Sequence, residues 1–247
     1  IGLAESDAPE KSALTATEIK ACQDAAKLDV SSDEIVEEWR EDLKKNPIGG
    51  YQFSRQTPPL RDMDIYSLTP ANSKRQEMVS LYADIDGFTA YVADHINEKT
   101  DDVVRTLHVI RSELERVVTS DFEGRRVRFI GDCVQALSCD GTSHTTDEEK
   151  SVSEATRLAG ALRSSFNLAI ERLKADGIET GDLGLAIGFD LGPIVATRLG
   201  AKGNRVRCAI GRSVIESEKR QCACSGVETA IGQAAYDAAS KAVQNLF

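Results

Sequence analysis

The sequence predicts an α+β fold, a ferredoxin-like antiparallel sheet with helices packed on it, plus a helical N-terminal extension. Three observations carry this. Short runs of apolar residues bounded by Gly, Asp and Pro alternate with longer stretches of helical apolar spacing. From Met78 onward the elements fall in the order β-α-α-β-β-α-β, which suits a split βαβ sandwich. The 247 residues, 41% of them hydrophobic, suffice for one substantial core and an appendage.

The extension, residues 1–75, has its own texture. Thr15–Lys27 and Ser32–Lys45 read as amphipathic helices, the second capped at Ser31 or Ser32, with Ile35 and Trp39 at i, i+4 spacing. Asn46-Pro47-Ile48-Gly49-Gly50, Thr57-Pro58-Pro59 and Thr69-Pro70 then break any regular pattern.

Residues 76–247 read as the catalytic unit. Met78–Ala83 is an apolar strand that runs into Asp84-Ile85-Asp86-Gly87-Phe88-Thr89, and helices follow over Phe88–Asn97 and Asp102–Ser120. Arg126–Ile130 and Cys133–Ser138 form a hairpin turning at Gly131-Asp132. Asp140–Lys150 is a polar loop and Ser153–Ala175 a helix with Leu158, Leu162, Phe166, Ile170 and Leu173 facing inward. Leu183–Phe189 and Ile194–Thr197 are strands around Gly192-Pro193. Val206–Ile210 and Glu228–Ile231 are strands, and two short helices complete the chain.

The formal charge of -10 repels polyphosphate backbones, which argues against nucleic acid as a partner. A triphosphate can still bind where a metal supplies positive charge. The spacings of the six cysteines fit no zinc pattern, and a chain of this length folds without bridges, so reduced cysteines and a cytoplasmic protein are expected. No run of about twenty apolar residues spans a membrane. The chain begins at Ile1 without Met and reads as a fragment of a longer protein.

Asp84 ends a buried strand, and Asp132 sits at the tip of a hairpin that a ferredoxin-like sheet places beside it. Alone, Asp84 could be a helix cap and Asp132 a turn residue. Together, in this topology, they make a pair of carboxylates that repel unless a divalent cation lies between them. Two Mg²⁺ or Mn²⁺ ions, completed by phosphate oxygens, suit phosphoryl chemistry. Gly87, Phe88 and Thr89 open a helix whose free N–H groups face an anion. Asp86 is expected on the opposite strand face from Asp84, orienting the turn rather than binding metal.

These residues carry a family resemblance. Val79–Thr89 resembles the first metal motif of class III adenylate and guanylate cyclases, and Arg128-Phe129-Ile130-Gly131-Asp132 their second. Leu185–Val195 is similar to the strand-turn-strand that follows, and Ala209–Val214 to the approach to the last active-site segment. The resemblance implies a head-to-tail homodimer with two shared sites acting on a nucleoside triphosphate. One subunit gives Asp84, Asp132 and the backbone carbonyl of Ile85 to the metals, and the other reads the base and stabilises the transition state. The reaction would be attack of the ribose 3′-oxygen on the α-phosphorus, releasing pyrophosphate and a 3′,5′-cyclic nucleotide.

The base-reading positions depart from the family pattern. Arg128 stands where adenylate cyclases carry lysine and guanylate cyclases glutamate, and Cys208 where adenylate cyclases carry aspartate or threonine. Arg128 only donates and Cys208 is a poor acceptor. Adenine and guanine would each leave amino or imino donors unpaired, at about 1–3 kcal/mol per group. Uracil presents O2 and O4, which a guanidinium satisfies. UTP is therefore the favoured substrate, as in the pyrimidine cyclases of bacterial anti-phage (Pycsar) signalling. The family's transition-state asparagine falls on Ile215 and its arginine on Lys219, with Arg220 one residue off register. Lys219 keeps the charge without the fork. An adenylate cyclase with variant base readers and a cyclase-like regulatory domain without turnover stand as the alternatives.

Overall fold

In the computed structural model the described residues are 17, 20, 32–45, 54–55, 63–142, 145–200 and 204–247. The chain divides into two compact units, residues 1–47 and 48–247. The first contains α1 (Ser32–Lys45), with Asp33 and Glu34 in its first turn, where the helix dipole favours negative charge. Residues 17 and 20 are helical, and the rest of the expected Thr15–Lys27 helix lies outside the described residues.

The second unit is organised by one long strand. β2 (Lys74–Asp86) pairs along its length with β5 (Gly184–Leu199) and, on its other side, with β4 (Cys133–Ser138). The sheet order is β3-β4-β2-β5-β6, with β3 Arg125–Ile130 and β6 Val206–Ile210 at the ends of that path. These pairings are antiparallel, as the sequence predicts. Two short strands join in parallel, β1 (Ser54–Arg55) to the start of β2 and β7 (Thr229–Ile231) to β5.

Period-2 alternation gives the sheet two apolar faces. Val79, Leu81, Ala83 and Ile85 of β2, with Leu185, Ile187 and Phe189 of β5, face Ile110, Leu114, Leu158, Leu162 and Phe166. The last five come from α3 (Thr100–Arg116) and α4 (Glu148–Ala175). The opposite face carries Met78, Tyr82, Leu137, Ile194 and Ala196 against Met63, Ile65 and Leu68. These three lie within the span expected as extension, yet they are at most 2% exposed and belong to the core of the second unit. The boundary therefore falls well before residue 76.

Three further departures have local causes. The expected strands around Gly192-Pro193 are one strand, because β2 pairs through Pro193 on one edge while the other edge is vacant between the β7 and β6 pairings. Proline, which lacks an N–H, is tolerated there. α4 starts five residues before the expected Ser153: the Asp147 carboxylate accepts the Lys150 N–H at 3.0 Å and caps the run read as loop. Between β6 and β7, α5 (Arg212–Cys222) is a helix with no counterpart in the sequence reading. Its charged surface masks a narrow buried stripe of Ser213, Val214, Ser217 and Gln221. Helices α6 (Gln233–Ala238) and α7 (Lys241–Gln244) end the chain as expected.

Candidate active site

Register fixes where the two expected metal-binding aspartates stand. Ala83 pairs with Val134, so Asp84 is the next residue along β2, beside Cys133 at the start of β4. Gly131, at φ +62°, turns the hairpin and presents Asp132 next to that point. The two carboxylates come together electrostatically. Asp132 is pushed above the usual carboxylate range by burial and then by the Asp84 charge. Asp84 is also raised, first by burial and further by Asp86, while a hydrogen bond with the Cys133 thiol pulls it partly back. Cys133 itself is pushed well up by burial and by both aspartates, so it stays a thiol at neutral pH. A thiol is a poor ligand for a hard cation, and the oxygen-only pair beside it suits Mg²⁺ or Mn²⁺. Among the described residues no group of three or more His, Cys, Asp or Glu could hold a metal ion.

Asp86 does not lie opposite Asp84. β2 continues through Asp86 because β5 pairs as far as Gly184, and residues two apart on a strand share a face. Its Oδ2 accepts the Gly226 N–H at 2.8 Å and anchors the segment before β7. Gly87, at φ +81°, ends the strand in the left-handed region and opens α2 (Phe88–His95). The first intrahelical bond found there is Tyr91 N–H to the Gly87 carbonyl at 3.0 Å. The first-turn N–H groups, including those of Phe88 and Thr89, thus lack helical acceptors, as an anion site requires.

One step along the sheet from Asp84, four residues stand in a cross-strand row: Arg128 on β3, Gln135 on β4, Tyr82 on β2 and Gly188 on β5. Arg128 is exposed, and Gln135 and Tyr82 are buried. The Tyr82 phenol is pushed up to about 12 by burial, then by Glu218 and Cys133, with Arg128 opposing. Tyr82, Gln135 and Cys133 were missed in the sequence, because they meet Arg128 and Asp84 through strand register rather than within a motif.

α5 lies across this face. Ser217 Oγ donates to Ser80 Oγ at 2.9 Å. Gly188 makes the approach possible, since a Cβ there would stand 2.2 Å from Gln221 N and 2.5 Å from Ser217 O. Ile215 is 55% exposed, and Lys219 pairs with Glu216 at 2.9 Å with its side chain 64% exposed. Such a solvent-exposed i, i+3 pair is weak, so Lys219 can leave it at little cost.

The chain does not bring all expected site residues into one place. Cys208 pairs with Thr197, which puts it on the sheet face opposite Arg128. The next residue back, Arg207, reaches β3, its Nη1 donating to the Arg126 carbonyl at 3.3 Å. Within one chain, Arg128 and Cys208 form no shared pocket, and Lys219 is tied to Glu216 rather than to Asp84 or Asp132. His95 bonds to the Tyr91 carbonyl at 2.8 Å and has no place in the site.

The model of the Adenylate and Guanylate cyclase catalytic domain matches residues 71–243. The chain belongs to this family. It is 96% identical over 247 residues to a Pseudomonas aeruginosa protein named uridylate cyclase, covering all of this chain and 48% of that one. It is 46% identical over 199 residues to a uridylate cyclase of a Rhizobium species, covering 80% of this chain and 37% of that one. The chain therefore spans about half the length, or less, of these relatives. A solved structure described as a class III adenylyl cyclase-like ATP-binding protein from Pseudomonas aeruginosa aligns at 96% identity and TM-score 0.92, over 100% of this chain and 52% of that one. The adenylyl cyclase CyaB from P. aeruginosa aligns at TM-score 0.60 with 21% identity, over 68% and 82%, and shares the fold. Among the described residues no helix of the cyclase domain or the preceding unit is long and apolar enough to cross a membrane.

Proposed function

We propose that this cyclase domain converts UTP to 3′,5′-cyclic UMP and pyrophosphate at sites shared by two copies of the chain. The observation that carries the reading is the pairing of two carboxylates, Asp84 and Asp132, raised by burial and by neighbouring acidic charge, with a donor-only base reader, Arg128. The name of the relatives at 96% and 46% identity supports the same choice of base.

Two divalent ions, Mg²⁺ or Mn²⁺, held by Asp84, Asp132 and the Ile85 carbonyl, would supply Lewis acidity toward the 3′-oxygen and the phosphates. The residues do the rest. N–H groups at the start of α2, at Phe88 and Thr89, hold phosphate oxygens. Arg128 of the second copy donates to a uracil carbonyl oxygen, and Cys208, on the opposite sheet face, takes no part in that contact. Lys219, released from Glu216, neutralises charge on the departing pyrophosphate. The ribose 3′-oxygen bonds to the α-phosphorus, its proton passes to solvent, and the bond to the β-phosphate oxygen breaks. Supply of a second messenger in bacterial antiviral signalling is the setting that the resemblance to pyrimidine cyclases implies.

The description of the 96% identical solved structure as ATP-binding favours one second reading, cyclisation of ATP. Incubation with each of the four nucleoside triphosphates and Mn²⁺, followed by mass spectrometry, separates them. Cyclic UMP is expected as the main product. Cyclic AMP as the main product overturns the choice of base, and no cyclic product from any nucleotide overturns the enzyme reading.

A further inference from the structure

Gln135 is 1% exposed, and its Oε1 has no hydrogen-bond partner. A buried carbonyl left unpaired lowers stability, and native proteins retain few of them. Its position suggests a purpose. Gln135 pairs in register with Arg128 on one side and Tyr82 on the other, and side chains directly across an antiparallel ladder point the same way. Gln135 thus stands on the strand next to the one that carries Arg128, about 4.8 Å away backbone to backbone.

The uracil edge reads acceptor, donor, acceptor: O2, N3–H, O4. A guanidinium can donate to one of these carbonyls but offers no acceptor for N3–H. A carboxamide offers what is missing, an acceptor in Oε1 with a donor in Nε2 beside it. The geometry points to Gln135 as a specificity-determining residue whose Oε1 accepts the N3–H of a uracil ring seated against Arg128. This rests on UTP as the substrate and adds the residue that reads the imide. Arg128 is exposed, so its side chain can move to admit the base; Gln135 is fixed in the sheet and supplies the rigid half of the pair. Buried Gln76 also carries an unpaired Oε1, but its Nε2 is engaged with Cys139 Sγ at 2.7 Å and its strand position is six residues from Tyr82.

The test uses 2′,3′-dideoxy-UTP, which lacks the attacking hydroxyl, and its N3-methyl derivative, with Mn²⁺ and the full chain, read by calorimetry. The wild-type protein is expected to prefer the parent nucleotide by about 10-fold or more. Gln135→Ala is expected to reduce that preference to within about 2-fold, mainly by weakening the parent nucleotide. Gln135→Leu, which fills the space without an acceptor, is expected to do the same and guards against a packing failure in the alanine variant. Unchanged discrimination in both variants overturns the inference, as it would if a water molecule were the oxygen's only partner. Equal weakening of both nucleotides also overturns it, by showing a structural role. Failure of the UTP reading is separate: it appears as wild-type protein that makes no cyclic UMP.

Discussion

Asp84 and Asp132 were legible because each sits in a local motif, a strand end followed by a glycine turn and a hairpin tip. Repulsion between them was expected from the topology, but their burial was not legible, because it arises only when the hairpin folds beside β2. Both carboxyls are held above their ordinary range. Without metal, the stability they contribute is fully present below the ordinary carboxylate value and is lost as pH rises through the raised folded value. Asp132→Asn removes one charge and keeps the shape. In metal-free buffer at neutral pH its melting temperature is expected to equal or exceed that of the wild type. The upward shift on adding Mn²⁺ should vanish, and turnover should fall to background. A variant that melts lower without metal, or that still turns over, contradicts the assignment. Gln135 and Tyr82 show the opposite limit. Each is an ordinary strand residue in the sequence, and only the register Arg128–Gln135–Tyr82 reveals their neighbours.

At the scale of elements, strands and long helices followed from periodicity, and the failures have two causes. α5 and the start of α4 are polar on most of their surface, and a narrow buried stripe does not register as an apolar face. The expected break at Gly192-Pro193 rested on the chemistry of a turn, which a vacant strand edge makes unnecessary. α5 matters most, because it carries Lys219 and is seated through Gly188. Gly188→Ala would drive a methyl group into the Gln221 and Ser217 backbone, where nothing flexible can yield. Overpacking of this kind costs about 1–3 kcal/mol. The expected outcome is a melting point several degrees lower and a kcat that falls more than KM rises, because displacement of α5 moves Lys219 and leaves Arg128 in place. Thermal denaturation and steady-state kinetics on the same sample check both parts.

For the whole molecule, one chain holds Asp84 and Asp132 together but keeps Lys219 on the exposed side of α5 and Cys208 on the far face of β6. That separation is what a site completed by a second copy requires. Asp84→Ala and Lys219→Ala should each be inactive alone. After the two are unfolded, mixed and refolded, heterodimers regain one intact site, and about a quarter of wild-type activity should return. No recovery counts against shared sites. On the sequence side the proposed second copy rests on the family resemblance alone, since nothing in composition or periodicity marks which surfaces meet.

β5 runs unbroken for 16 residues, from the partner of Asp86 at Gly184 past the partner of Cys208 at Thr197. At about 3.3 Å per residue it is a beam of roughly 50 Å, hydrogen-bonded to β2 over most of its length. A beam has no elbow. The metal end and the outer strand of each copy must therefore tilt together as one plate. Any closing of the site around a nucleotide has to come from sliding between the two plates or from side chains on α5 and β3.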